Sequence, residues 1–175
     1  MAMTEADGRK HHIGLRRGDV GRYVLLPGDP NRVEAIARRF DNPTFVAQRR
    51  EYVTWSGELD GVTVSCTSTG IGCPSAAIAV EELHALGTDT FLRVGTSGSM
   101  QSHIKPGSIG VISGAIRDEG TSRHYLPLEF PAVADLDVTI ALREAAAASG
   151  HPWYLGVAQS KDSFYGQHEP ARMPI

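Results

Sequence analysis

Three times along this chain a short apolar stretch runs directly into a turn rich in glycine. Residues 23–26 (Tyr-Val-Leu-Leu) lead into Pro27-Gly28-Asp29-Pro30, residues 64–69 into Gly70-Ile71-Gly72, and residues 90–94 into Gly95-Thr96-Ser97-Gly98. Short apolar runs cut off by Gly and Pro are strand signals. Helical patterns follow the first two turns. Over 30–40, Val33, Ile36, Ala37 and Phe40 recur at helical spacing behind Asp29, a plausible N-cap with proline just inside it. Over 74–86, Ala76, Ala77, Val80 and Leu83 form an apolar set, Glu81 and Glu82 are expected in solvent, and Gly87 stands just past the end. Asp60-Gly61 between alternating residues predicts a hairpin. Residues 44–57 resemble a strand, and further on come a strand at 107–116, a helix at 136–149 and a strand at 153–159. This alternation predicts an α/β fold, a central mixed β-sheet flanked by helices. In such sheets ligands gather beyond the carboxyl ends of the strands, where these glycine turns lie.

Composition narrows the function classes. Lys+Arg number 17 against Asp+Glu 20, a net charge of -3, so the chain lacks the general basic surface that holds nucleic acid by counterion release. At 41% hydrophobic it has the composition of a globular protein, not a disordered one. No apolar run approaches a membrane span. Residues 1–10 are polar, with no leader-like apolar segment, and are expected to form a flexible tail before a single domain over 11–175. Cys66 and Cys73 make neither a disulfide framework nor a zinc site. A reduced, cytoplasmic protein is the expectation.

Four stretches could carry chemistry. In Gly28-Asp29-Pro30-Asn31-Arg32 a glycine admits close approach of backbone N–H groups, and Arg32 sits unfavourably in the first turn of a helix unless an anion lies between them. An ordinary strand-to-helix turn is the plainer alternative. In 91–98, Arg93 interrupts an apolar strand just before a turn of hydroxyl and N–H donors, the ingredients of a phosphate site; an edge strand with Arg93 pointing outward is the alternative. Neither a Walker loop nor a Gly-x-Gly-x-x-Gly fingerprint is present. The pair Arg49-Arg50 beside Glu51 reads, by itself, as a solvated strand face. In 162–168, Phe164 could cover a planar ring and Gln167 could pair with an amide edge, although an aromatic loop anchor explains the same residues. The histidines, His12 and His84 among them, show no metal-binding spacing.

Taken in order, His12-Ile13-Gly14-Leu15, 27–33 (Pro-Gly-Asp-Pro-Asn-Arg-Val), Arg50-Glu51-Tyr52, 68–72, 79–83, 91–98, 127–135 and 162–165 resemble the nucleoside phosphorylase family, most closely its uridine-cleaving bacterial members. The resemblance spans about 11–165. It implies a phosphorylase/hydrolase α/β fold and reversible phosphorolysis of uridine to uracil and ribose 1-phosphate, in pyrimidine salvage, with inorganic phosphate as co-substrate and no other cofactor. Positions matching Gly28, Arg32, Arg93 and Thr96 hold phosphate, and the one matching Arg50 joins them from a neighbouring subunit. The position matching His12 reaches the sugar 5′-hydroxyl, also from the neighbour. Thr96, Ser97, Gly98, Phe164, Gln167 and Arg172 are implied to line the nucleoside. Glu51, Ile71 and Ser75 match a potassium site at a dimer interface. The implied partner is a second copy, in a homodimer or in a hexamer built as a trimer of dimers, with no nucleic acid and no membrane.

The sequence departs from the family pattern in places. Gly166-Gln167 follows Tyr165 directly, without the usual intervening residue, and Arg172 is displaced from the usual arginine position. Family chains continue past this length with a Glu-Met-Glu segment for the ribose hydroxyls, so the C-terminal part of the domain is expected to be missing here. A purine nucleoside phosphorylase of the same fold, a nucleosidase using water, and a catalytically incomplete nucleoside-binding fragment are the other readings.

Overall fold

Strands β1 (Tyr23–Pro27), β2 (Asp41–Arg49), β3 (Tyr52–Leu59), β4 (Val62–Thr67) and β5 (Thr90–Val94) form a sheet in the order β2-β3-β4-β1-β5. β1 runs parallel to both β4 and β5, whereas β2, β3 and β4 pair antiparallel. The computed structural model describes residues 2–166, in two units that meet in sequence between Thr96 and Ser97. This five-stranded mixed sheet belongs to the first.

The β3–β4 hairpin turns at Asp60 and Gly61, both with positive φ (50° and 76°), the backbone that an Asp-Gly hairpin turn requires. The stretch 44–57 is not one strand. It breaks at Arg50, which takes φ +55° in the turn between β2 and β3; no Gly, Asn or Pro marks the break. The helix expected over 30–40 is shorter, a 3₁₀ turn Pro30–Arg32 followed by α1 (Val33–Ala37). Asp29 does cap it, accepting from the Asn31 N–H at 2.9 Å.

α2 (Cys73–His84) packs on the core through Ala79 and Leu83. Ile13, Leu15, Val24, Leu26, Tyr52 and Leu86 complete that cluster, and Val33, Ala37, Phe40 and Cys66 form a second. Each fully buried aliphatic side chain here contributes about 1.5–3 kcal/mol. The N-terminal segment is tied down: Thr4 bridges Lys10, and Arg49 donates to Glu5 at 2.8 Å. One expectation for α2 fails. Glu81 is exposed, but Glu82 retains only 3% of its surface and lies beneath the segment that leads into Ile13.

The second unit holds β6 (Ile109–Asp118), β7 (Ala132–Val133), α3 (Leu136–Ala148) and β8 (Trp153–Lys161), with sheet order β7-β6-β8 and β6 parallel to β8. Asp135 caps α3 by accepting from the Val138 N–H at 3.0 Å. Arg117, near the end of β6, gathers the loop that follows: its guanidinium donates to the carbonyls of Ser122, Leu126, Pro127 and Phe130 and to the Ser122 hydroxyl. Sheets with helices in both units agree with the expected α/β class. Among the described residues no helix is long and apolar enough to cross a membrane.

Candidate functional site

Because β4 and β5 both run parallel to β1, the carboxyl ends of the three strands lie side by side. Their turns are stitched together by backbone bonds, Thr69 N–H to Pro27 O at 2.9 Å and Gly70 N–H to Gly28 O at 3.0 Å. Arg93 lies on β5, for which an edge position with the arginine pointing outward is the alternative to a phosphate site. β5 does stand at the end of this sheet, yet Arg93 is held over the strand ends. Its Nη1 donates to Leu26 O and to Val94 O, each at 2.9 Å. A Cβ on Gly28 would lie 3.3 Å from Arg93 Nη2, and one on Gly95 would lie 3.2 Å from Nη1. A side chain at either position would press on the guanidinium and displace it by a few tenths of an ångström.

Arg32 reaches the same place from the 3₁₀ turn. Its Nη2 donates to Val94 O at 2.5 Å, while its buried Nε–H has no hydrogen-bond partner among the described residues. Neither arginine forms an ion pair among those residues. Burial first, and the charge of Arg32 second, push the pKa of the Arg93 guanidinium below the ordinary arginine value. Two converging cations with a buried donor to spare form a natural seat for a polyvalent anion. The five-residue α1 adds little helix dipole, so the anion affinity of the site rests on its arginines. Beside Arg32 an open, largely apolar concavity of about 590 Å³ runs past Ile36, Arg39, Phe40 and Leu59.

The remaining candidates are distributed as follows. Thr96 ends the first unit and is exposed. Ser97, Gly98 and Phe164 belong to the second unit, where Phe164 is 73% exposed and meets Tyr165 edge-on at 5.1 Å. Gln167 and Arg172 lie outside the described residues. Arg50 is exposed in its turn, as on a solvated face, and makes no side-chain hydrogen bond or ion pair among the described residues. His12 is bound to Glu82, Nδ1 to Oε1 at 2.6 Å, and not to Arg32 or Arg93.

Glu51, Ile71 and Ser75 are brought close together. Ser75 Oγ donates to Ile71 O and to Gly72 O, both at 3.1 Å. Glu51 packs on Gly70, whose missing Cβ would stand 2.6 Å from Glu51 Cγ. These donors are all oxygens, as a hard monovalent cation prefers. The residue that sequence reasoning missed is Glu82; it appeared to be half of an exposed Glu-Glu pair, although helical spacing sets position 82, unlike 81, on the same face as Ala79, Leu83 and Leu86.

The geometry is that of an α/β protein whose ligand site lies beyond the carboxyl ends of its parallel strands, among glycine turns and two arginines that form no ion pair among the described residues. Residues 22–173 match the family model of the Phosphorylase superfamily, and the chain belongs to that superfamily. It is 55% identical, over its whole length, to a uridine phosphorylase of Treponema pallidum and covers 68% of that protein. Over 94% of the chain it is 52% identical to a uridine phosphorylase of Thermococcus kodakarensis, covering 60% of it. Over 92% it is 43% identical to a guanosine phosphorylase of Halorubrum lacusprofundi, covering 67%. The chain thus spans roughly two thirds of the length of these relatives.

Proposed function

We propose that the protein cleaves uridine by reversible phosphorolysis, as a pentosyltransferase of pyrimidine salvage. The observation that carries this is the convergence of Arg32 and Arg93 over Gly28, with a buried Arg32 Nε–H left to donate. A tetrahedral dianion with several acceptor oxygens suits these forks better than a water molecule does, which favours phosphate over hydrolysis. A phosphate oxygen attacks the anomeric carbon as the bond to the base nitrogen breaks. The base leaves with the electron pair and takes up a proton, giving uracil and ribose 1-phosphate. The anion held by the arginines faces a developing oxocarbenium cation, so positioning and charge do the catalytic work and no covalent enzyme intermediate is needed.

In this reading Thr96 completes the phosphate seat, Ser97, Gly98 and Phe164 contact the nucleoside, and Gln167 and Arg172 read the base. Arg50 and His12 serve the site of a neighbouring copy, His12 through the 5′-hydroxyl. The smallest active unit is then a homodimer, alone or within a trimer of dimers, in the cytoplasm. Support for a role in trans comes from Arg50, which is exposed and makes no ion pair among the described residues. A potassium ion at Glu51, Ile71 and Ser75 would supply charge neutralisation and order the turn that ends in α2.

The test is base release from uridine by the full-length protein with and without inorganic phosphate. Uracil and ribose 1-phosphate appearing together, only with phosphate, is the expected result; release in plain buffer at the same rate would mean a hydrolase. The likeness to a guanosine phosphorylase supports a second reading, purine nucleoside cleavage at the same phosphate seat. Cleavage of guanosine without cleavage of uridine would establish it.

A further inference from the structure

Glu82 is a carboxylate on the core face of α2, between Ala79 and Leu83 in the helix, with 3% of its surface exposed. Three donors converge on it from a segment about seventy residues away. Oε2 accepts the backbone N–H groups of His12 and Ile13, each at 3.0 Å, and Oε1 lies 2.6 Å from His12 Nδ1. No lysine or arginine forms a salt bridge with Glu82 among the described residues. Burying a carboxylate in this way is expensive. Anchoring the segment does not require it, because Ile13 and Leu15 are already fully buried in the same core. The distinctive thing the carboxylate does is hold the imidazole.

We propose that Glu82 is the positioning residue of His12, fixing the ring so that Nε2 is presented to a hydroxyl group of the substrate. This rests on the reading of His12 as the ligand of the sugar 5′-hydroxyl. An ionised carboxylate only accepts, so the nitrogen facing it carries the hydrogen, and in the neutral ring Nε2 is left as the acceptor. His11 stands edge-on to His12 with centroids 4.9 Å apart, which limits rotation further, while 27% of the His12 side chain stays open. A carboxylate behind an imidazole sets tautomer and direction in the same way in many catalytic and metal sites. Glutamine at 82 would keep the size but place an NH₂ among donors, so the ring would lose this support.

The test uses the full-length protein with uridine and with 5′-deoxyuridine, which lacks only the hydroxyl concerned. His12→Ala is expected to lower kcat/KM for uridine about five- to tenfold and for 5′-deoxyuridine less than about twofold, the size of one hydrogen bond. Glu82→Gln is expected to show the same selectivity and to add nothing in the His12→Ala background. If His12→Ala discriminates between the substrates but Glu82→Gln lowers both equally or neither, the proposal is overturned and the role of His12 stands. If His12→Ala treats the two substrates alike, the role of His12 fails and the proposal falls with it. Nitrogen-15 spectra of the unsubstituted protein give a readout that does not depend on any variant folding. Hydrogen on His12 Nδ1 is expected, and a neutral ring with Nδ1 bare overturns the proposal.

Discussion

Arg32 and Arg93 donate to the same acceptor, the carbonyl oxygen of Val94, from Nη2 of one at 2.5 Å and Nη1 of the other at 2.9 Å. One carbonyl dipole cannot neutralise two guanidinium charges. Their mutual repulsion, relieved by no carboxylate among the described residues, is stored affinity for an anion.

The fork geometry of Arg32 matters as well as its charge. Lysine would keep the charge but lose both the bond to Val94 and the buried Nε donor. Arg32→Lys is expected to lower kcat/KM for phosphate roughly ten- to hundredfold, the equivalent of about 1.5–3 kcal/mol for a hydrogen bond to a charged group. His84, whose ring hydrogen-bonds the Thr88 carbonyl near the exposed end of α2, supplies the control. His84→Ala is expected to stay within about twofold of the unsubstituted rate, as surface changes away from a site do. Steady-state rates at varied phosphate check both.

Gly28→Ala tests the space around Arg93. The new methyl would stand 3.3 Å from Arg93 Nη2 and 3.4 Å from Gly70 O, so the guanidinium must shift by a few tenths of an ångström. The expected outcome is a several-fold higher KM for phosphate, on the order of 1 kcal/mol, with thermal stability little changed. A large fall in melting temperature with an unaltered KM would show that Gly28 serves the backbone and not the site.

Gly70→Ala acts on the candidate cation site. Gly70 has φ +70°, and its Cβ would overlap the Glu51 side chain at 2.6 Å. A non-glycine residue in this region costs about 1–3 kcal/mol, so a lower melting temperature is expected, together with loss of any stabilisation by potassium over sodium. Thermal melts in the two salts measure it.

Stability should fall in alkali. Burial pushes the Cys66 thiol from 9.0 up to about 12, and burial followed by the charges of Glu51 and Glu82 pushes the Tyr52 phenol from 10.0 up to about 12. Both groups stay neutral in the folded chain at pH values where the unfolded chain ionises. Their contribution is therefore complete below pH 9 and is lost as pH rises from there toward 12, at up to about 1.4 kcal/mol per pH unit for each group. Denaturant melts between pH 8 and 11 should show the decline, shallower in Cys66→Ala; a flat profile would contradict the burial of these groups.

The arginine cluster at the strand ends was legible because each of its parts is local. A strand, a glycine and an arginine within a few residues describe the Gly28–Arg32 turn, and Arg93 beside Gly95 announces itself as a charge in an apolar run. What could not be read is long-range. Glu82 shares the core face of Ala79 and Leu83, but the donors that let a carboxylate be buried there come from the distant His12–Ile13 segment. The break at Arg50 was hidden for a similar reason. Its left-handed backbone has no turn residue to signal it, and the pairing of β2 with β3 decides where the chain reverses. Burial of Ile13 and Leu15 likewise depends on a core assembled from residues as distant as Leu86.

Whether the Arg32–Arg93 pair holds phosphate is tested more directly by binding than by turnover. Phosphate should be titrated calorimetrically into the full-length protein and into Arg93→Ala, with sulfate as a second anion. Saturable binding to the unsubstituted protein, weakened about tenfold or more in Arg93→Ala, is the predicted result. Equal affinity in the two proteins would contradict it.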